Sequence, residues 1–161
     1  MASLDNSSGK LIEQSRRLFG ETPCRVQVAA LPWRRTGGGI EVMLITSRDS
    51  GRWVLPKGWP EKKEPLCDAA AREATEEAGL SGVVSTRETG RYFYAKAKAS
   101  GDIPCEVLVF PLEVGAVADK WKERRERIRK WVSAAEAAAM INEPDLGALI
   151  EAFCAKTRRA A

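Results

Sequence analysis

The sequence predicts a single domain of the α/β or α+β class, and three observations support this. First, a chain of 161 residues is long enough for one domain with a real core. Second, a strand, a loop and a helix with marked ends follow one another over 53–80. Third, short β-rich runs bounded by turn residues predict further strands over 25–31, 40–46, 91–97 and 105–114. We expect one domain over 23–161, preceded by an N-terminal arm or short helix over 1–22.

The first half of the chain alternates strand-forming and turn residues. The β-rich run 25–31 and the mostly apolar run 40–46 are separated by the flexible segment 36–39, so together they predict a hairpin with a loose loop. Trp53 begins a third short extended run. Pro56, which ends that run, excludes a helix there and predicts a loop.

The helix after this loop has ends that the sequence marks. Pro65 can occupy its first position, where the missing N–H of proline costs nothing. Glu64 and Asp68 favour the positive end of the helix dipole. Gly79 suits the left-handed residue after the last turn, with Leu80 as the apolar contact beyond it.

The second half of the chain predicts more strands and then two helices. A short strand is expected at 83–84, and Pro111 suggests that the tail of the strand over 105–114 lies at a sheet edge or ends the ladder. A capping-box pattern begins a helix over 133–141, and a final helix is expected over 146–156.

Three carboxylates of the first helix form a pattern that indicates chemistry. Glu73, Glu76 and Glu77 stand at positions i, i+3 and i+4, which share one face of a helix. Because like charges repel, a helix that only needed solubility would interleave opposite charges. A cluster of hard oxygen ligands suits Mg²⁺ or Mn²⁺, and Mg²⁺ in turn suits phosphate substrates.

Composition excludes several kinds of protein. Hydrophobic residues make up 44% of the chain and charged residues 30%, which is typical of a soluble globular protein. No apolar run approaches the roughly 20 residues of a membrane helix, and the polar N-terminus lacks the apolar core of a signal peptide. The four cysteines form no CxxC pair, so we expect free thiols and a cytoplasmic location. Histidine is absent, which excludes nucleophiles activated by histidine and metal sites ligated by it.

The segment 58–80 carries a longer motif. Gly58 is followed after five residues by Glu64, and after seven more by the run REATEEAGL over 72–80. At these residues the chain resembles the Nudix hydrolases, and all nine specified positions of their signature match. The resemblance implies an α/β/α sandwich around a central mixed sheet. It also implies hydrolysis of a diphosphate linkage with Mg²⁺, or Mn²⁺, as cofactor.

The resemblance implies a role for each residue of the signature. Glu76 and Glu77 would bind the metal directly, with the carbonyl of Gly58 as a further ligand. Glu73 would bind the metal or act as the base for the attacking water. All three glutamates therefore count as catalytic and metal-binding candidates.

Two other signature residues would support the site. Glu64 is expected to support the metal ligands without binding the metal itself. Arg72, which we count with the catalytic residues, is expected to pair with a signature carboxylate and fix its rotamer. The family often adds an acid from outside the signature. The sequence leaves four candidates for it: Glu106, Glu113, Glu123 and Glu126.

Substrate contacts are predicted around the loop. Lys57 and Arg52 are candidates for binding phosphate. Trp59 either packs against the domain or stacks on a base or an inositol ring. The stretch 119–130 holds seven cations and three anions. It either attracts a densely anionic substrate or forms a solvated, charge-balanced segment.

Two substrate classes follow from the resemblance. The run 53–58 resembles diadenosine tetraphosphate hydrolases of the family. The layout on either side, over 41–48 and 121–131, is more similar to the diphosphoinositol-polyphosphate phosphohydrolases, although this chain has KGWP at 57–60 where those enzymes have a glycine run. An enzyme acting on RNA 5′ ends and a Nudix-like binding module without turnover are the alternatives. We expect a small phosphorylated partner rather than a nucleic acid or a membrane.

Overall fold

The structure is a computed structural model that describes residues 24–99 and 101–160, so the predicted arm over 1–22 lies outside the described residues. Eight strands and three helices occur within these ranges, and they follow one another in the order β1 Arg25–Thr36, β2 Gly39–Thr46, β3 Trp53–Val54, β4 Lys57–Gly58, α1 Leu66–Ala78, β5 Leu80–Val84, β6 Gly90–Lys96, β7 Ile103–Val117, β8 Arg129–Ser133, α2 Ala134–Met140 and α3 Pro144–Arg159.

All eight strands belong to one mixed sheet, as the resemblance implied. Its central path runs β3-β2-β1-β7-β5, while β4 pairs with β1, β6 with β7 and β8 with β2. Strands β1 and β7 are parallel, and the other pairs are antiparallel. The predicted hairpin is confirmed, since β1 and β2 pair with Thr36 opposite Gly39.

The two faces of this sheet carry different helices. Because successive side chains of a strand point to opposite faces, Val28 and Ala30 of β1 pack with α1, while Ala29 and Leu31 pack with α2 and α3. The alanines that α1 turns towards the sheet are fully buried, and their small side chains let the helix lie close to it. The domain is therefore an α/β/α sandwich of the α+β class. Within the described residues no helix is both long and apolar enough to span a membrane.

The prediction that Pro111 lies at a sheet edge or ends the ladder of its strand was wrong. Strand β7 continues through this residue to Val117, in the interior of the sheet. Its neighbour changes there, because β6 pairs only up to Val109 and β5 begins at Leu112. The Pro111 carbonyl accepts a hydrogen bond of 2.8 Å from the N–H of Ser85. The missing N–H of proline falls in the gap between the two partner strands, so it costs no ladder bond.

The helix ends agree with the sequence to within a few residues. Gly79 has φ 67° and ψ 32°, the left-handed conformation expected after the last turn of α1. Pro65 precedes the helix instead of occupying its first position, with ψ 138°. The capping box is confirmed, because Ser133 and Glu136 bond reciprocally at the start of α2. Helix α3 is longer than predicted and includes Pro144 at its start.

Candidate active site

A cavity of about 900 Å³ lies between α1, the loop around β3 and β4, and the segment 118–128. Seven residues predicted from the sequence line this cavity together: Arg52, Lys57, Gly58, Trp59, Glu73, Glu76 and Glu77. The other two predicted residues, Glu64 and Arg72, are not part of its lining and lie behind it. The structure therefore brings the signature and the predicted substrate contacts to one place, while their chemical roles remain predictions.

Glu73 is pressed against the loop before the helix. The residue is only 8% exposed, and burial is the main cause that raises the pKa of its carboxyl above the usual value. A β-carbon at Gly58 would lie 2.8 Å from Oε2 of Glu73, so only glycine leaves room for this carboxylate. The close approach of backbone and carboxylate explains on steric grounds why the motif needs glycine at this position.

Arg72 holds this side of the site together. Its Nε and Nη2 donate to the two carboxylate oxygens of Glu64 at 2.9 and 3.0 Å, a bidentate pair. Nη1 donates to Glu73 Oε1 at 3.0 Å, and Nη2 also reaches the carbonyl of Trp59 at 3.2 Å. The hydrogen bonds from Arg72 are the main cause that lowers the pKa of Glu64 to about 2. Arg72 thus joins the loop to the helix.

Arg127 holds the other side, and sequence reasoning did not single it out. Its side chain is 7% exposed, and Nη2 donates to Glu77 Oε1 at 3.0 Å. Nη1 donates to the carbonyl of Thr46 at 3.0 Å, and Glu123 Oε1 lies 3.5 Å from Nη2. Nε is buried without a hydrogen-bond partner in the described part of the chain. No spacing rule separates Arg127 from the other cations of 119–130, so only the fold reveals it.

Glu77 is a buried carboxyl that lines the cavity. Burial raises its pKa to about 7, and this outweighs the lowering by Arg127 and by the Lys57 N–H, which donates to Glu77 Oε2 at 3.1 Å. A titratable group with such a shift in a cavity is typical of a functional site.

The structure separates the four candidate acids from outside the signature. Glu123 and Glu126 line the cavity. Glu106 lies on β7 and pairs with Arg91 at 2.8 Å, and Glu113 lies further along the same strand, opposite Val83. The first two remain candidates for completing a metal site, and the other two lie outside the cavity lining.

Cations cover the aromatic rings on the sheet side of the cavity. The guanidinium of Arg25 lies 4.7 Å from the ring centroid of Trp59, and Lys96 Nζ lies 5.4 Å from it. Lys57 Nζ lies 5.0 Å from the ring of Tyr94, and burial lowers the pKa of this lysine. Arg52 is partly committed elsewhere, because its Nη1 pairs with Glu143 at 2.6 Å.

The donor set suits a hard divalent cation, since the signature carboxylates and the Gly58 carbonyl that line the cavity supply oxygen ligands. In the described ranges no three acidic or thiol side chains already stand close enough together to hold a metal ion. In this arrangement Arg72 pairs with Glu73, and Arg127 pairs with Glu77. The chemistry of the residues fits the ion, and binding would require these pairs to loosen.

The family of the chain follows from this fold and motif together with one comparison. The family model of the NUDIX domain matches residues 24–153, so the chain belongs to the Nudix hydrolase family. Members of this family generally use divalent metal ions.

Individual relatives give the comparison more detail. The chain is 33% identical over 123 residues to Nudix hydrolase 16, mitochondrial, of Arabidopsis thaliana, covering 74% of this chain and 68% of the relative. It is 37% identical over 133 residues to Nudix hydrolase 21, chloroplastic, of the same plant, covering 80% and 66%. It is 30% identical over 104 residues to diphosphoinositol polyphosphate phosphohydrolase 3-beta of Bos taurus, covering 63% and 60%. The chain thus spans two thirds or less of the length of most of these relatives.

Solved structures share the fold. A binary complex of the C. elegans Ap4A hydrolase superposes with a TM-score of 0.62 at 20% identity, covering 82% of this chain and 96% of that one. The NUDIX domain of Shewanella oneidensis NrtR, complexed with ADP ribose, gives a TM-score of 0.60 at 17% identity, covering 91% and 95%. At these identities the likeness is one of fold.

Proposed function

We propose that this protein is a Mg²⁺-dependent pyrophosphohydrolase that cleaves a diphosphate linkage in a small, densely anionic substrate. The observation that carries the proposal is the composition of the cavity, where the three signature glutamates face a set of basic side chains. Six basic residues line it: Arg48, Arg52, Lys57, Lys96, Lys122 and Arg127. Carboxylates alone would repel a polyphosphate, and cations alone would not hold a metal, so their combination suits a metal-bound polyphosphate.

Each signature residue has a place in this proposal. Glu76, Glu77 and the Gly58 carbonyl would hold the cation, with Glu73 as a further ligand or as the base that takes a proton from the attacking water. Bound Mg²⁺ would supply charge neutralisation and a lowered pKa for a bound water. Mn²⁺ has similar ligand preferences and would serve as an alternative.

Two residues would act on the substrate or on its surroundings. Lys57 lines the cavity beside Glu77 and would contact a phosphate oxygen. Arg72 does not line the cavity, so we assign it a positioning role: it holds Glu73 in one rotamer through the 3.0 Å bond to Oε1.

Of the two substrate classes, diadenosine polyphosphates and diphosphoinositol polyphosphates, we favour the second. Both aromatic rings at the cavity are in contact with cations, Trp59 with Arg25 and Lys96, and Tyr94 with Lys57. A base that stacked on either ring would have to compete with these contacts, whereas a polyanion would meet the cations directly. The bovine relative is named for the same substrate class.

For the cellular location we propose the cytoplasm. Cys105 and Cys154 are buried free thiols, which suits a reducing compartment.

The test is a substrate screen with product chromatography. The purified protein is incubated with Mg²⁺ or Mn²⁺ and with diphosphoinositol polyphosphates, diadenosine polyphosphates, nucleotide sugars or triphosphorylated RNA. We expect diphosphoinositol polyphosphates to react fastest, and EDTA to stop the reaction. Preference for RNA would indicate a 5′-end enzyme, and no turnover of any anhydride would indicate a binding module; either result would overturn the proposal.

A further inference from the structure

The last turn of α1 is capped by a distant part of the chain. A helix leaves its final carbonyls without partners inside the helix, and α1 has no basic residue in its last turn. The segment 118–129, which we call the cap segment, donates to four consecutive carbonyls. Ala118 N–H donates to Gly79 O at 2.8 Å, Glu123 N–H to Glu76 O at 3.2 Å, Trp121 Nε1 to Glu77 O at 3.0 Å, and Arg129 Nη1 to Ala78 O at 2.9 Å.

Trp121 and Arg129 form the centre of this cap. The Arg129 guanidinium lies 3.9 Å from the ring centroid of Trp121 and also donates to the Ala118 carbonyl at 2.6 Å. Arg129 supplies the cation that favours the negative end of a helix dipole. Trp121 packs directly on Gly79, where a β-carbon would lie 3.0 Å from the indole. The glycine thus provides both the left-handed turn and the room for the ring.

The capped carbonyls belong to the residues that matter most in the site. Glu76 and Glu77 are the proposed metal ligands, and their own main-chain oxygens accept from Glu123 and Trp121. Neither the indole of Trp121 nor the guanidinium of Arg129 lines the cavity. Any effect of these two side chains on metal binding would therefore be indirect, through the backbone of α1 or through the residues of the cap segment that do line the cavity.

We propose that Trp121 and Arg129 are positioning residues for the metal ligands. They hold the last turn of α1 so that the carboxylates of Glu76 and Glu77 project into the cavity at a constant spacing. This inference rests on the proposed function, since it assumes that these carboxylates bind a divalent cation. It extends that function to a part of the chain more than 40 residues beyond the signature.

The test replaces Trp121 by phenylalanine, which removes the Nε1 donor and keeps an aromatic ring on Gly79. Trp131→Phe is the matched control, because Trp131 also carries an arginine over its ring, Arg34 at 4.1 Å, and likewise does not line the cavity. It differs from Trp121 in lying on β8, beyond the cap segment. Mn²⁺ affinity is measured by calorimetry. The values of kcat and KM are measured by steady-state kinetics with the best substrate of the screen. Hydrogen exchange of the α1 amides and the melting temperature without metal complete the set.

We expect Trp121→Phe to weaken Mn²⁺ binding and to lower kcat by roughly tenfold each, with KM unchanged and faster exchange confined to the last turn of α1. The control should keep its Mn²⁺ affinity and kcat. Where Trp121→Phe does not fold, Arg129→Gln provides the same test, since it removes the donor to the Ala78 carbonyl.

Three outcomes would overturn the inference, and each has a different meaning. If the wild type binds Mn²⁺ and turns over substrate while both cap variants match it, the cap is only structural and the proposed function stands. If the wild type binds no divalent cation, the proposed function fails and the positioning role fails with it. A loss shared equally by the Trp131 control would also contradict the inference.

Discussion

Two arginines hold the glutamates of helix α1, and they do so from different environments. Arg72 belongs to the signature, and its side chain is 25% exposed. It pairs across the loop with Glu64, whose side chain is 17% exposed. Arg127 comes from a segment 50 residues beyond Glu77, is 7% exposed and pairs with a carboxylate that is 11% exposed. The first pair is local and partly solvated, whereas the second is distant and nearly dry.

This difference decides what each pair does to its glutamate. The hydrogen bonds from Arg72 lower the pKa of Glu64 to about 2, because they outweigh the smaller effect of burial on this carboxylate. Burial raises the pKa of Glu77 to about 7 in spite of Arg127. A charged partner offsets desolvation only in part when both groups are taken out of water. The comparison shows that Arg127 only partly stabilises the ionised form of Glu77, so a second cation bound nearby would stabilise it further.

The largest effect is expected from Glu77→Gln. Because the amide keeps the shape but loses the charge, turnover should fall at least about 100-fold, while the fold stays intact. Steady-state kinetics measure the first and circular dichroism the second. Glu151→Gln, on the exposed side of α3, is the control. Near-normal turnover in Glu77→Gln would remove this residue from the proposed metal site.

Arg127→Met breaks the buried pair and leaves the Glu77 carboxyl without the cation that lowers its pKa. We expect a loss of roughly 3 to 5 kcal/mol in the free energy of unfolding of the metal-free protein, measured by urea denaturation. Mn²⁺ should restore part of it, since the ion supplies the missing positive charge.

Arg72→Met is the matched variant for this comparison. Loss of its more exposed ion pair should lower the free energy of unfolding by roughly 1 to 2 kcal/mol. Equal losses in the two variants would show that burial does not distinguish the two arginines.

The pH dependence of the metal-free protein sharpens the comparison between the two glutamates. Glu77 has a folded-state pKa of about 7 against an ordinary 4.5, so the folded protein binds more protons between these values. Its contribution to stability therefore falls as pH rises from 4.5 to 7, by up to roughly 3 kcal/mol. Glu64, with its pKa lowered to about 2, contributes above pH 4.5 and loses that contribution as pH falls towards 2.

Thermal unfolding in EDTA from pH 3 to pH 8 measures both effects. Glu77→Gln should flatten the slope between pH 4.5 and 7, and Glu64→Gln should flatten the acid side. An unchanged slope in Glu77→Gln would mean that the charge of another group controls stability in this window.

Much of the fold could be predicted from the sequence, for local reasons. The hairpin, the capping box at Ser133 and the left-handed Gly79 depend on the conformational preferences of a few neighbouring residues. Pro111 was misjudged because a proline's cost depends on which strand lies beside it, and that is a property of the whole sheet. The ends of α1 and α3 shifted by one to three residues, where local signals are weakest.

The site likewise contains residues that local spacing predicts and residues that only the fold brings together. Glu73, Glu76 and Glu77 could be placed on one face from their spacing alone, since helical geometry is periodic. The arginine that meets Glu77 could not be chosen from the cations of 119–130, because its burial arises only when that segment folds over α1. The same holds for Glu123 and Glu126 among the outside acids, which the fold carries to the cavity.

By itself, the sequence determined the class of domain, the signature helix and the three carboxylates that this helix presents, because these follow from short-range geometry. Only the tertiary structure decided which distant groups meet them. Desolvation by the assembled cavity, together with Arg127 and the cap of Trp121 and Arg129, sets the charge and the position of Glu77, and both effects require chain segments some 50 residues apart to be in contact.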